Sequence, residues 1–300
     1  MIVFGPERRH GVANQPARFA WYEILTTDVA AASAFYGSVV GWRVKDASSP
    51  ELAYTVLAVG EDSVGGLMEL PEEGRRLGAT PRWMGYVAVD DIDATAAQIG
   101  RRGGAVLLPP TDSNIGRVSV VADPQKATFA LVSGLTFGQP QSGALDEPGR
   151  VGWHELLAEN RNTVFDFYGE LFGWQKDQGE ADPADVYQAF SVGGETIGGM
   201  LTKLPIVQHA CWLYYFNVDD IDEAATRVNA GGGRILQGPL ELHDSWWIAR
   251  CVDPQGALFA LQGVRGQGAA ERPSASEVSW SAKWGGIASQ GRMVLQKRKR

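Results

Sequence analysis

The chain has 300 residues, of which 44% are hydrophobic and 21% are charged, and its formal net charge is -8. This length allows two domains of ordinary size, each with its own apolar core. The composition is typical of a globular protein, and the acidic balance argues against a protein body that binds nucleic acid.

Neither a targeting segment nor a membrane span is predicted. The opening stretch, MIVFGPERRHGVANQ, lacks a basic start followed by an apolar core, so it does not resemble a secretory signal. No apolar run approaches the ~20 residues that a membrane helix requires. Cys211 and Cys251 form no CxxC pair and no disulfide framework, which favours two reduced, buried thiols. We therefore expect a cytoplasmic protein without a membrane partner.

The first predicted unit follows an N-terminal segment of residues 1–18. AWYEILTT predicts a strand, which leads into a helix opened by Thr27 or Asp28, both good N-cap residues. Gly41 ends the helix, because glycine readily adopts the positive φ of a C′ position. AYTVLAVG and GGLMEL then alternate as strands. One helix face carries apolar residues at helical spacing, which predicts that it is buried: Ala32, Phe35, Tyr36, Val39 and Val40.

The same order of elements returns in a second unit. We predict a strand over Met84–Val89, a helix over Asp91–Arg101 that stops at Gly103-Gly104, and strands over Arg117–Val121 and Thr128–Val132. The unit is therefore β-α-β-β-β. A stretch rich in Gly and Pro follows and predicts an interdomain linker over residues 135–150.

The second half of the chain repeats the first after about 130 residues. FYGSVVGW matches FYGELFGW, YVAVDDIDATAAQI matches YFNVDDIDEAATRV, and ADPQKATFAL matches VDPQGALFAL. The chain is thus a tandem duplication of two domains, 19–134 and 151–264, each containing two β-α-β-β-β units. Residues 265–300 end in LQKRKR and are predicted to form a disordered basic tail, which leaves a weak contact with nucleic acid or an acidic surface open.

These motifs resemble the vicinal oxygen chelate superfamily, which includes glyoxalase I, bleomycin-resistance proteins, fosfomycin-resistance enzymes and extradiol dioxygenases. The matching stretch is about Phe19–Gly263, and within the superfamily the chain is similar to actinobacterial tandem glyoxalase-like proteins. The resemblance implies an α+β fold in which four βαβββ units form two vicinal-oxygen-chelate-type barrels in tandem, with helices on the outer faces. It does not imply one function, because the fold supports lyases, isomerases, dioxygenases, transferases and binding proteins.

The resemblance also implies where a metal would bind. Metal-using relatives take His, Glu or Gln ligands from the first and last strands of each unit. Only Glu69 in GLMEL supplies such a donor, and its counterpart is Thr202. One donor cannot hold a catalytic metal, so we predict a metal-independent protein without a cofactor. The other ligand positions carry aromatic or apolar residues: Trp21, Met84, Ala130, Trp153, Leu213 and Ala260.

Two carboxylates are the candidate catalytic residues. Strand alternation places Glu23 on the same face as Trp21, and Glu155 on the same face as Trp153. Burial among apolar neighbours would raise the pKa of either carboxyl group unless a cation pairs with it. Each is a general base or ligand-binding group, or else a structural acid that bonds to backbone amides or to an arginine. The arginine candidates are Arg117 and Arg250.

The expected ligand is a planar or lipophilic small molecule, because an indole offers a flat apolar wall with one N–H donor. Trp246 and Trp247 occur where the first half has Ile115-Gly116, which predicts a more aromatic or capped second cavity. The substrate-binding candidates are Trp21, Trp153, Ala130, Ala260, Met84, Leu213, Trp246 and Trp247.

Three functions remain open from the sequence. The first is metal-independent binding of an aromatic or lipophilic molecule, for sequestration or acid/base transformation. The second is a metal-dependent glyoxalase-like lyase, isomerase or dioxygenase, which requires a different register. The third is an interaction protein whose cavities are filled by side chains, as ten tryptophans would permit. The two halves are expected to pack like the dimer of single-domain relatives, so the chain is a monomer or a homodimer.

Motifs outside the cavities are assigned to the fold. Asp123-Pro124 and Asp253-Pro254 are predicted turn formers that place the final strand of each half. The glycine pairs Gly65-Gly66 and Gly198-Gly199 are predicted to serve bends or bulges.

Overall fold

The computed structural model describes residues 17–50, 52–76, 78–137, 146–177, 187–203, 207–242 and 246–266. The predicted N-terminal segment up to residue 16, linker residues 138–145 and the tail beyond residue 266 lie outside the described residues. Within these ranges no helix is long and apolar enough to cross a membrane.

The first half contains two successive βαβββ units and one additional short helix. Its elements are β1 (Phe19–Thr26), α1 (Val29–Val40), β2 (Arg43–Asp46), β3 (Thr55–Val59), β4 (Asp62–Glu69), α2 (Glu72–Arg76), β5 (Arg82–Ala88), α3 (Ile92–Arg101), β6 (Ala105–Ser113), β7 (Gly116–Ala122) and β8 (Thr128–Ser133).

The second half repeats this order without a counterpart of α2 among its described residues. Its elements are β9 (Val151–Ala158), α4 (Arg161–Phe172), β10 (Gln175–Lys176), β11 (Tyr187–Val192), β12 (Glu195–Thr202), β13 (Cys211–Val218), α5 (Ile221–Ala230), β14 (Arg234–Glu241), β15 (Trp246–Val252) and β16 (Leu258–Val264).

Each half forms one mixed eight-stranded sheet, with strand orders β2-β3-β4-β1-β5-β8-β7-β6 and β10-β11-β12-β9-β13-β16-β15-β14. The two units of the first half join through the antiparallel pair β1 and β5, and those of the second half join through β9 and β13. Within each unit the first and last strands pair in parallel. The predicted α+β fold of four βαβββ units is therefore confirmed.

Local chemistry sets the helix ends where the sequence predicts them. Asp28 accepts the backbone N–H of Ala31 and opens α1, and Asn160 opens α4 in the same way. Gly41 and Gly173 end these helices with φ of 88° and 72°, a conformation that favours glycine.

The two faces of each sheet belong to different apolar clusters. Trp21 faces away from the helices, whereas its neighbour Tyr22 faces them. We call the side without helices the first helix-free face in the first half (Trp21, Tyr54, Val56, Met84, Tyr86, Ile115, Val118, Ala130 and Val132). The second helix-free face contains Trp153, Tyr187, Ala189, Leu213, Tyr215, Leu242, Trp246, Ile248 and Ala260.

The helix-bearing faces of both halves merge into one core through an approximate two-fold arrangement. Helix α1 packs on α5, and α3 packs on α4. Two residues at the interface contact their own counterparts: the Tyr22 hydroxyl lies 2.6 Å from His154 Nε2, and the Gly85 amide donates to the Tyr214 hydroxyl at 2.8 Å. A residue that meets its own counterpart lies on the symmetry axis, so this interface has the geometry of an isologous dimer.

The FYG tyrosines link the two halves reciprocally. The Tyr36 hydroxyl donates to Asp253 Oδ2 at 3.0 Å and accepts the indole N–H of Trp83. Tyr168 does the same with Asp123 and Trp212. Each aspartate also accepts backbone amides of its own Asp-Pro turn. The turn-forming role predicted for Asp123 and Asp253 is thus accompanied by a contact between halves.

The GW tryptophans are also reciprocal. The indole of Trp42 donates to the Gly149 carbonyl, just before the first strand of the second half, and Trp174 donates to the Ala17 carbonyl, just before β1. Both bonds are 2.7 Å long. The repeated motif therefore fixes where the chain enters each sheet.

We predict that Tyr36→Phe lowers the free energy of unfolding by about 1–3 kcal/mol, because it leaves the buried Asp253 and Trp83 groups without their shared partner. Urea denaturation measures this loss. Tyr168→Phe is the matched variant and should lose a similar amount. A change below about 0.3 kcal/mol in both variants would contradict an energetic role for the reciprocal bonds.

His154 predicts a pH dependence of stability. It accepts the Tyr22 hydroxyl at Nε2 and donates from Nδ1 to the Ile197 carbonyl, so the ring is neutral, and burial lowers its pKa from 6.5 to about 4. Between these values the unfolded state binds more protons than the folded state. The stability contributed by neutral His154 is therefore complete above pH 6.5 and is lost as the pH falls towards 4, by about 3 kcal/mol at most.

The measurement is the difference in unfolding free energy between wild type and His154→Gln from pH 7 to pH 4. The difference is needed because burial raises the pKa of Glu23, Asp123 and Asp253, whose contributions have the opposite slope. Glutamine can keep both polar contacts without titrating. Parallel pH profiles for the two proteins would show that His154 does not titrate with unfolding.

Candidate functional site

A buried carboxyl group lies at the centre of the first helix-free face. The Tyr54 hydroxyl donates to Glu23 Oε1 at 2.5 Å, and the Tyr86 hydroxyl donates to Glu23 Oε2. The Trp21 indole N–H donates to the Tyr54 hydroxyl at 2.9 Å. Both oxygens of Glu23 therefore have a donor from within the face.

Burial determines the proton affinities of this group. It raises the pKa of Glu23, and the hydrogen bonds from Tyr54, Tyr86 and Trp21 offset part of that rise. Burial and the nearby carboxylate also raise the pKa of Tyr54 and Tyr86 well above the usual range, so both hydroxyls stay protonated and act as donors.

The second helix-free face has the same residue types around its carboxylate and an added cation, but a different set of hydrogen bonds. The Tyr215 hydroxyl and Arg250 Nη2 both bind Glu155 Oε2, at 3.0 and 2.7 Å. The Trp153 indole donates to the Tyr187 hydroxyl at 2.8 Å. The expected contact between an inward carboxylate and Arg250 is therefore present at Glu155.

Arg250 donates hydrogen bonds to three different side chains. Besides Glu155, its Nε donates to the Tyr215 hydroxyl at 2.9 Å and its Nη1 donates to Gln237 Oε1 at 2.8 Å. Burial alone would lower the pKa of Arg250, but the charge of Glu155 together with the contacts of Tyr215 and Tyr187 outweighs burial and raises it. The guanidinium is permanently charged.

Among the described residues, a cation beside the carboxylate is present in the second half and absent from the first. Arg250 pairs with Ala260 across β15 and β16, and the residue paired with Ala130 in the first half is Val120. Arg117, the other predicted partner, lies on the surface and pairs with Asp93 and Asp112. Pairing of Glu23 with Arg117 was thus a wrong expectation, because the strand register carries that arginine away from the carboxylate.

Glycines make room for the tyrosines. A Cβ on Gly66 would overlap the Tyr54 hydroxyl, and a Cβ on Gly199 would overlap the Tyr187 hydroxyl. The Tyr54 ring therefore lies directly over β4, and the Tyr187 ring lies directly over β12. The glycine pairs were predicted to serve bends or bulges, and the strand register does shift beside Gly65 and Gly198. Gly66 and Gly199 additionally permit this close approach.

The structure places most predicted site residues on the helix-free faces. Trp21, Met84 and Ala130 lie on the first, and Trp153, Leu213, Ala260 and Trp246 lie on the second. Trp247 does not: it packs against the core on the helix side, with the Arg265 guanidinium 3.4 Å above its ring. The expectation for Trp247 is corrected because neighbours on a strand face opposite sides.

The residues do not fit a metal of the kind used by metal-dependent relatives. Met68, not Glu69, points to the first helix-free face, while Glu69 is exposed and pairs with Arg75. The hydroxyl group of Thr202, the counterpart of Glu69, accepts a hydrogen bond from the Arg161 backbone N–H at the start of α4. Across the described ranges, no three His, Cys, Asp or Glu side chains come together as metal ligands. The expectation that Glu69 is a matching metal donor is wrong, because adjacent residues of β4 face opposite sides of the sheet.

Sequence reasoning missed the tyrosines that bind the two carboxyl groups. Tyr86 and Tyr215 open the aligned segments YVAVDDID and YFNVDDID, and Tyr54 and Tyr187 also recur. Recurrence of a polar aromatic residue on a buried strand was the available signal.

Phe137 covers part of the first helix-free face. Its ring stacks on Trp21 with centroids 6.2 Å apart and on Tyr54 with centroids 6.3 Å apart, at interplanar angles of 26° and 18°. Leu135 packs against the same cluster. The first residues of the predicted linker therefore belong to this face.

Known proteins share this architecture. Residues 18–131 match the family described as Glyoxalase/Bleomycin resistance protein/Dioxygenase superfamily. CFP32 of Mycobacterium tuberculosis, provisionally named a glyoxylase, is 31% identical over 261 residues, which cover 85% of this chain and 95% of that protein. The chain belongs to this superfamily. The anthracycline biosynthesis protein DnrV of Streptomyces peucetius is 27% identical, over 83% of this chain and 94% of its own length.

Solved structures of the superfamily show the same fold at low sequence identity. The Mn(II)-bound glyoxalase from Novosphingobium aromaticivorans has a TM-score of 0.56 and 18% identity, over 83% of this chain and 82% of its own. The 2,3-dioxygenase LapB from Pseudomonas sp. KL28 has a TM-score of 0.58 and 12% identity, over 87% of this chain and 97% of its own.

We predict that Gly66→Ala lowers the unfolding free energy by about 1–3 kcal/mol, because the new methyl group displaces Tyr54 from Glu23. Thermal or urea denaturation measures the loss. Gly74→Ala in α2 is the control, since a Cβ there meets only ordinary contacts. Equal stability of the Gly66→Ala and Gly74→Ala variants would be inconsistent with the close approach of Tyr54.

Proposed function

We propose that the protein binds a small, planar aromatic molecule on a helix-free face without a metal ion, for sequestration or acid/base transformation. The observation that carries this proposal is the chemistry of the face itself. Where metal-using relatives place oxygen and nitrogen ligands, this chain has indole, thioether and methyl groups, and its polar groups form Trp–Tyr–Glu clusters.

The aromatic character of the faces supports a planar ligand. Trp21 and Tyr54 already accept the ring of Phe137 in a stacked arrangement, which indicates that this kind of face binds a flat ring. A biosynthetic role is supported by the relatives DnrV and DauV, which are named for anthracycline biosynthesis. Anthracyclines are planar polycyclic molecules with phenolic hydroxyl groups, which suit indole walls and a carboxylate acceptor.

The carboxyl groups supply the acid/base chemistry of the proposal. Glu155 forms a salt bridge with Arg250, and Glu23 has a raised pKa and tyrosine donors on both oxygens. A ligand hydroxyl that binds an ionised carboxylate is polarised towards loss of its proton. The cytoplasmic location is part of the same proposal and is supported by the two free thiols of Cys211 and Cys251.

The proposal predicts that binding does not depend on metal. Isothermal titration of a hydroxyanthraquinone into the purified protein should give the same Kd, within about twofold, before and after dialysis against EDTA. Elemental analysis should find far less than one metal ion per chain. Glu69→Gln is the control and should bind equally well, because Glu69 is exposed on the other side of the sheet.

Stoichiometric metal in each half, together with loss of binding after EDTA that is restored by one divalent ion, would overturn the proposal. The metal-dependent alternative would then hold.

A further inference from the structure

We infer that the two helix-free faces have different roles: the second binds the ligand, through a hydrogen bond from a ligand hydroxyl or N–H group to Glu155 Oε1, and the first is a closed structural core. This inference rests on the proposed function and adds to it the working half of the chain and the chemistry of the ligand.

Glu155 has one oxygen that nothing in the described part of the chain satisfies. The side chain is fully buried, and its Oε2 receives both Tyr215 and Arg250, whereas Oε1 has no hydrogen-bond partner among the described residues. A buried charged acceptor without a donor is costly, and the cost exceeds that of a neutral group. A donor supplied by a ligand would remove this cost.

Arg250 determines what kind of ligand group can bind. It forms a salt bridge with Glu155, and the carboxylate of a salt bridge accepts hydrogen bonds but cannot donate them. The ligand atom at Oε1 must therefore carry a proton. The Arg250 side chain is 21% exposed, so the ion pair extends from the buried carboxylate towards solvent, where a ligand can reach it.

The first helix-free face does not need a hydrogen-bond donor from a ligand. Both oxygens of Glu23 already have tyrosine donors, and Val120 replaces the arginine. Phe137 stacks on Trp21 and Tyr54, the surfaces that a planar ligand would use. The first face thus matches the filled-cavity alternative, while the second retains a buried acceptor without a donor among the described residues.

The ligand class that fits is a planar aromatic molecule with a phenolic hydroxyl or ring N–H at its edge. The ring would lie among the aromatic side chains of the second face, and its donor would point at Glu155. An otherwise identical ring with a methoxy group has no proton to donate and places a methyl group against the carboxylate.

The test compares a monohydroxylated anthraquinone with its methyl ether in calorimetric titrations of wild type, Glu155→Gln and Glu23→Gln. Wild type should bind the hydroxyl compound at least about tenfold more tightly. In Glu155→Gln the amide oxygen should face Arg250 and the amide NH₂ group should face the ligand, so the preference should disappear or reverse. Glu23→Gln should keep the wild-type preference.

Loss of the preference in Glu23→Gln but not in Glu155→Gln would overturn the assignment of roles. Equal affinity of wild type for the two compounds would overturn the hydrogen bond at Oε1, while the proposed aromatic binding would stand. Absence of binding of either compound would refute both proposals. If Glu155→Gln fails to fold, Glu155→Gln/Arg250→Gln removes both charges and keeps the Tyr215 hydroxyl as the donor to the amide oxygen, so that the NH₂ group again faces the ligand.

Discussion

The reciprocal bond between a tyrosine of one half and the turn aspartate of the other is the contact on which the whole arrangement depends. Tyr36 and Tyr168 each extend from the first helix of their own half to the last hairpin of the opposite half. This contact orients the helix-bearing faces towards one another and buries them in one core. The helix-free faces consequently lie on the sides of the two sheets that are opposite to this shared core.

A symmetric scaffold with two separate helix-free faces allows them to diverge. The Trp–Tyr–Glu cluster is common to both halves, as expected of a duplication, and glycines at equivalent positions admit the tyrosines in each. The second face has Arg250 where the first face has Val120. This difference places a positive charge beside the carboxylate of the second face. An ionised pair results in one half, and a carboxyl group of raised pKa bound only by hydroxyl groups results in the other.

The fold could be predicted from sequence because its signals are local. Asp28 and Gly41 mark helix ends, and alternation alone separates Trp21 from Tyr22. The site required pairings that alternation does not give: Tyr54 reaches Glu23 across β4 only because Gly66 has no side chain. Glu69 and Trp247 show the limit of counting along a strand, because an error of one residue moves a side chain to the opposite face.

The contacts on the pseudo-two-fold axis have a consequence for assembly. Gly85 meets Tyr214, and Tyr22 meets His154, so each half has become the complement of the other at the positions where a homodimer would need self-complementarity. Two copies of the second half would bring two Tyr214 rings into the space of one, and two copies of the first would leave that space empty. Separated halves are therefore expected to associate with one another as a heterodimer rather than as two homodimers.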